Sequence, residues 1–189
     1  MNDEQLIWEI YEKNIIKEWQ YEKNIIKEWY IDEEETNDDP LKIALANHIE
    51  DRVFITESIE FNTASFNTPQ KEGAKPKGLW YSLGSGWFDW YTTEYGKYHS
   101  FKSAYKLSID MNDMLIINTP EKLIEFDKTF AQGSTVNWQE VAKSYKGIDI
   151  IPYQRSLRMK LGWYYGWDVA SGCVWDSSCI RGIDKIYPK

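Results

Sequence analysis

Two patterns of apolar residues divide this chain. Near the N-terminus the apolar positions recur every four residues, with Tyr11, Ile15 and Trp19 in one stripe and Tyr21, Ile25 and Trp29 in the next. The nine residues 11–19 recur unchanged as 21–29. Such spacing predicts an amphipathic helix, extended backwards by Trp8. Ten residues at about 100° each return the second stripe rotated by roughly 80°, so a straight helix shows only one copy to a given surface. The expectation is that one copy docks and the other is tolerated, as in a tandem duplication. Residues 32–39 are nearly all Asp or Glu and end at Pro40, which reads as a solvated linker.

Beyond Pro40 the period changes. Residues 41–50 suit a short helix, and 52–61 alternate as a strand. The stretch 62–77 has no periodicity and reads as a loop, and 78–82 follows as a second strand. Gly84 and Gly86 turn it into a helix carrying Trp87, Trp90 and Tyr91 on one side. Strands are predicted over 105–109 and 114–118, with a turn at 110–113. Thr119 followed by Pro120 marks a helix start, with Leu123, Phe126 and Phe130 at helical spacing. Asn137, three residues before Glu140, starts a second helix that ends at Gly147. A strand over 148–153 and further strands around Trp167, Val174 and 183–186 complete the chain. Strands and helices mix without regular βαβ alternation. The predicted class is therefore α+β, with mixed, mostly antiparallel sheets flanked by short helices. Three segments are expected: a helical extension over 1–31, an acidic linker over 32–40 and a single domain over 41–189.

Composition sharpens this. Aromatics make up 16% of the 189 residues, including 10 Trp and 13 Tyr, so they must supply much of the core. The net charge of -8 argues against a general nucleic-acid surface. Residues 1–39 hold 13 acids and 4 lysines, leaving 18 basic and 17 acidic side chains over 40–189. A local basic site in the main domain is thus compatible with the total. No apolar run reaches the ~18–20 residues that span a bilayer, and the opening residues lack the basic stretch of a signal peptide, so a cytoplasmic protein with no membrane partner is expected. Cys173 and Cys179 have no metal-ligand or redox spacing, and His48 and His99 lie far apart, so free thiols and no metal are expected.

Three local clusters can carry chemistry. On a strand over 78–82, Trp80 and Ser82 share one face and Leu79 and Tyr81 the other, while Gly78 allows a planar ligand close to the backbone. The aromatic run 163–176 is a core cluster or a stacking site, with Asp168, Ser171 and Asp176 as partners for its polar ends. Arg52, Arg155 and Arg158 offer guanidinium forks for phosphate.

The order of these pieces resembles the ADP-ribosyltransferase superfamily, including the RES-type NAD-degrading toxins. The resemblance covers residues 50–186 in outline. It is carried by Arg52 on the first strand, the Gly-Leu-Trp-Tyr-Ser strand 78–82 leading into a helix with Trp87 and Glu94, and a helix before Gly147 and Ile148. The sequence departs from the family in lacking a clean His-Tyr-Glu or Arg-Ser-Glu pattern, which admits a non-catalytic relative. The resemblance implies NAD as substrate, bound through Arg52, Gly78, Trp80, Tyr81 and Ser82, with Asp168 or Glu94 as the catalytic carboxylate. It further implies transfer of ADP-ribose or release of nicotinamide. The competing reading is a non-enzymatic accessory protein, phage or bacterial, that engages a partner through the acidic helical residues 1–31.

Overall fold

The computed structural model describes residues 39–62, 64–95 and 101–188. All of them but Asp39 belong to the second of two units, Pro40–Lys189. The tandem repeat, the acidic linker up to residue 38 and His99 lie outside the described residues.

The first element, α1 (Pro40–Leu45), starts at its proline and buries Leu41 and Leu45. It is shorter than the helix over 41–50 that the sequence suggests. Strand β1 (Arg52–Thr56) carries only the first half of the alternating segment. Strand β2 (Leu79–Leu83) follows the loop, and the two glycines lead into α2 (Gly86–Tyr95). Strands β3 (Ser103–Ile109) and β4 (Met114–Ile116) are joined by a turn in which Asp110 accepts from the Asn112 backbone N–H. Helix α3 (Pro120–Phe130) is capped by Thr119, whose hydroxyl accepts from the Lys122 N–H. A two-residue hairpin, β5 (Ala131–Gln132) and β6 (Thr135–Val136), precedes α4 (Trp138–Val141), capped by Asn137. Strands β7 (Gly147–Ile150), β8 (Ser171–Val174) and β9 (Ile180–Tyr187) close the domain. The strand expected around Trp167 is instead a single 3₁₀ turn, Tyr164–Gly166. The turn buries Tyr164 against Trp163 and Trp167 and leaves Tyr165 exposed.

Seven strands form one sheet in the order β4-β7-β8-β2-β1-β3-β9. Only β4 and β7 run parallel; the other neighbours are antiparallel. The domain is therefore α+β with a mixed, mostly antiparallel sheet. The two-residue period of the strands sends alternate side chains to opposite faces. On one face Val53, Trp80, Ile148, Ile150 and Cys173 meet the helices: α1 and α2 cover one half, and α3, α4 and the aromatic tail cover the other. Trp138, Trp163, Trp167 and Trp175 are each at most 2% exposed. The aromatic run 163–176 is thus chiefly core. Two of its three indole N–H groups reach partners, Asp127 from Trp163 and the Tyr145 carbonyl from Trp175, rather than the acids nearest in sequence, while that of Trp167 is buried with no hydrogen-bond partner among the described residues. The opposite face holds Leu79, Tyr81, Leu107 and Val174 beneath Phe61 and Phe66 of the loop after β1.

Candidate functional site

On that loop-covered face three strands place a polar triad. Tyr81 on β2 is in register with Gly172 on β8, and Gly172 is in register with Asp149 on β7. Tyr81 and Asp149 are thus two strands apart, with a glycine between them. A Cβ at Gly172 would lie 2.3 Å from the Tyr81 hydroxyl oxygen, so the missing side chain is the space through which the phenol crosses β8. The phenol donates to Asp149 Oδ2 at 2.8 Å. Arg52, the first residue of β1, donates to the same oxygen from Nε at 2.7 Å. Its register partner is Leu83, two residues beyond Tyr81, which sets Arg52 on the same face.

The electrostatics follow from burial. The Asp149 side chain is 2% exposed and that of Arg52 27%. Burial works against the Arg52 charge, but the Asp149 carboxylate outweighs it and holds the guanidinium above its ordinary pKa. Burial, reinforced by Asp149, pushes the Tyr81 phenol well above the usual tyrosine range. Tyr81 therefore remains a donor, and the triad combines an acceptor-only carboxylate with a neutral phenol and a cation.

The other residues singled out in the sequence lie elsewhere. Trp80 and Ser82 turn to the helix face, as their alternation with Tyr81 requires. The Trp80 ring packs on Trp167 at 4.9 Å, with the Lys75 ammonium 5.4 Å from its centroid. Burial lowers the pKa of Lys75, against the opposing pull of Asp168. The Ser82 hydroxyl accepts from the Trp87 backbone N–H and so serves the start of α2. At Gly78 the close approach is made by the protein itself, since a Cβ there would stand 2.1 Å from the Val174 carbonyl oxygen. Asp168 accepts from Arg158 Nη2 at 2.6 Å. Glu94 is exposed in the last turn of α2, and Arg155 is exposed in a 3₁₀ turn. Of the expected set, Arg52 and Tyr81 come together, and the acid that joins them is Asp149. One signal in the sequence points to it: a single carboxylate inside the otherwise apolar run Gly147–Ile150, where alternation puts it opposite Ile148 and Ile150.

Beside this face lies a small cavity of about 180 Å³, lined by Phe61, Phe66, Ser177 and Ile183 among others. Among the described residues no cluster of three or more His, Cys, Asp or Glu side chains is placed to hold a metal ion. Nor is any described helix long and apolar enough to cross a membrane. No family model, curated protein or solved structure matches this chain.

Proposed function

We propose that this α+β domain is an ADP-ribosyltransferase-like protein that binds NAD at the Arg52–Tyr81–Asp149 triad. The observation that carries the reading is that Asp149 Oδ2 receives both Arg52 and Tyr81 across four neighbouring strands. An apolar core gains little from a buried ion pair over packed hydrocarbon, so a pair in mid-sheet with one partner open to solvent calls for a functional reason. Arg52 uses only Nε toward Asp149, and its terminal nitrogens suit a pyrophosphate oxygen pair. In nicotinamide loss the glycosidic C–N bond breaks with its electron pair going to the ring nitrogen, and positive charge develops on the ribose. A carboxylate held in a largely dry setting stabilises that charge more in the transition state than in the ground state. Asp149, oriented by the Tyr81 phenol, takes that role in place of Asp168 or Glu94. The acceptor is water in nicotinamide release and a macromolecular nucleophile in ADP-ribose transfer.

A second reading has its own observation. Asp149 is 1% exposed, and the 180 Å³ cavity, smaller than the ~300–1,000 Å³ of typical ligand sites, is lined by none of the three triad residues, which favours a structural triad in a non-enzymatic interaction protein. Titrating the whole protein calorimetrically with NAD, and following nicotinamide release by chromatography, separates the two. The NAD reading expects saturable heat and a slow release that Asp149→Asn abolishes while binding persists. Absence of heat at millimolar NAD defeats it and leaves the structural reading.

A further inference from the structure

We propose that the segment 155–165 is a docking surface for an acidic peptide segment of a partner protein, one that sets an apolar side chain among carboxylates. The surface stands apart from the triad and does not depend on the NAD reading. Its anchors, Leu157, Tyr164 and Trp167, are buried in the core that Trp80 and Ile148 share, on the sheet face opposite Tyr81. The Tyr164 hydroxyl accepts from the Gln154 backbone N–H. Backbone bonds from Arg158 to the Arg155 carbonyl, and from Tyr165 to the Leu161 carbonyl, wind the segment into tight turns. A surface ordered before its partner arrives loses less entropy on binding.

What this anchored segment leaves outside is apolar and basic at once. Met159 is 77% exposed and Tyr165 56%, so two large side chains stand out from a turn whose other apolar residues are covered. Arg158 holds the ring in place: its guanidinium lies 5.5 Å from the Tyr165 centroid, Nε donates to the Tyr165 carbonyl, and Nη2 donates to Asp168. That last bond occupies the only acid within residues 153–168. Arg155 and Lys160 are exposed, and neither side chain has a hydrogen bond or ion pair among the described residues. Lys75 joins them from the loop before β2, where a Cβ at Gly166 would stand 3.4 Å from its Cε. Beyond the Arg158–Asp168 pair, three cations thus flank two exposed apolar side chains, in a chain whose net charge is -8. Arginine, tyrosine and methionine together are the composition of protein interfaces, and the uncompensated positive charge selects an acidic partner. Carboxylates suit Arg155, Lys160 and Lys75, while an apolar side chain covers Met159 and the free side of Tyr165. A nucleic acid offers these cations phosphate, but it needs ring faces for its bases, and Arg158 already covers one face of the segment's single exposed ring. Met159 suits a flexible apolar side chain instead.

The experiment selects binders to the full chain from a random-peptide display library and measures the fluorescein-labelled consensus peptide by fluorescence anisotropy. The selected peptides are expected to place an aromatic or aliphatic residue among Asp and Glu. The double variant Arg155→Glu with Lys160→Glu should bind the consensus at least about tenfold more weakly, and Met159→Ala roughly threefold more weakly. Melting temperatures should match the parent, because all three side chains are exposed. An oligothymidylate of the same net charge should bind the parent at least about tenfold more weakly than the peptide does. Selected peptides without acidic enrichment overturn the proposal, as does an affinity unchanged in the double variant. Oligothymidylate binding as tight as the peptide's also overturns it and assigns the patch to nucleic acid. Should the double variant fail to fold, Lys160→Ala alone replaces it, with a loss of roughly threefold expected and an unchanged affinity counting against the surface.

Discussion

At Gly172 one missing methyl group governs the triad. Adding it drives a Cβ to 2.3 Å from the Tyr81 hydroxyl oxygen and 2.5 Å from the Ile148 carbonyl oxygen, and a central strand cannot give way to both. Gly172→Ala is therefore expected to cost at least about 2 kcal/mol in urea denaturation, on the scale of overpacking a core. Gly182 on β9 is the control, because a Cβ there meets Ser108 at an ordinary 3.6 Å, and its alanine variant should stay within about 1 kcal/mol of the parent. A similar loss at both positions would show that backbone freedom, not the crossing phenol, is what Gly172 supplies. The cysteines give a residue-level prediction in pH. Both are free and buried, and burial pushes the Cys179 thiol from an ordinary value near 9.0 up to about 11. Its folded pKa lies above its unfolded one, so this contribution is complete below pH 9 and is lost as pH rises towards 11. The denaturation midpoint should fall across that window, and less steeply in Cys179→Ala. An identical slope in the variant would assign the alkaline loss to other groups, Tyr81 among them.

Among the elements, the edge strand β9 shows how the sheet stops. It is eight residues long and ends the strand order, a position that normally invites another strand. Two devices oppose this. Its pairing with β3 slips at two places, between Ala104 and Tyr105 and between Ser108 and Ile109, and Arg181, Asp184 and Lys185 stand exposed along it. Replacing Asp184 and Lys185 together by Thr should promote self-association, seen as a larger sedimentation coefficient that grows with concentration. An unchanged coefficient up to high concentration would mean that the bulges alone protect the edge. Helices α3 and α4 lie at the other extreme of legibility. Thr119 with Pro120, and Asn137 three residues before Glu140, name their starts in the sequence because capping is a local hydrogen-bond problem.

For the whole molecule, the triad links β1 to β7 through β2 and β8 and so tests whether the pair exists for stability or for chemistry. Arg52→Met strands a buried carboxylate and should cost roughly 2–3 kcal/mol, allowing for the partial exposure of the arginine. Adding Asp149→Leu removes the stranded charge and should restore most of that loss, since packed hydrocarbon substitutes well for a buried ion pair. If the double variant is no more stable than the single one, the pair itself holds the strands together. What the sequence determined alone is what depends on neighbours a few residues apart: the α+β class, both helix caps, the turn at Asp110, the opposed faces of Trp80 and Tyr81, and an aromatic core. Alternation and capping act over one to four residues and leave their mark in any window of that width. The tertiary structure decided which carboxylate meets Arg52. Asp149 stands 97 residues from Arg52 and 68 from Tyr81, and they meet only because strand order sets β8 between β2 and β7 and puts a glycine in the crossing row. Register between distant strands is fixed by the packing of both sheet faces at once, so no local window of the chain contains it.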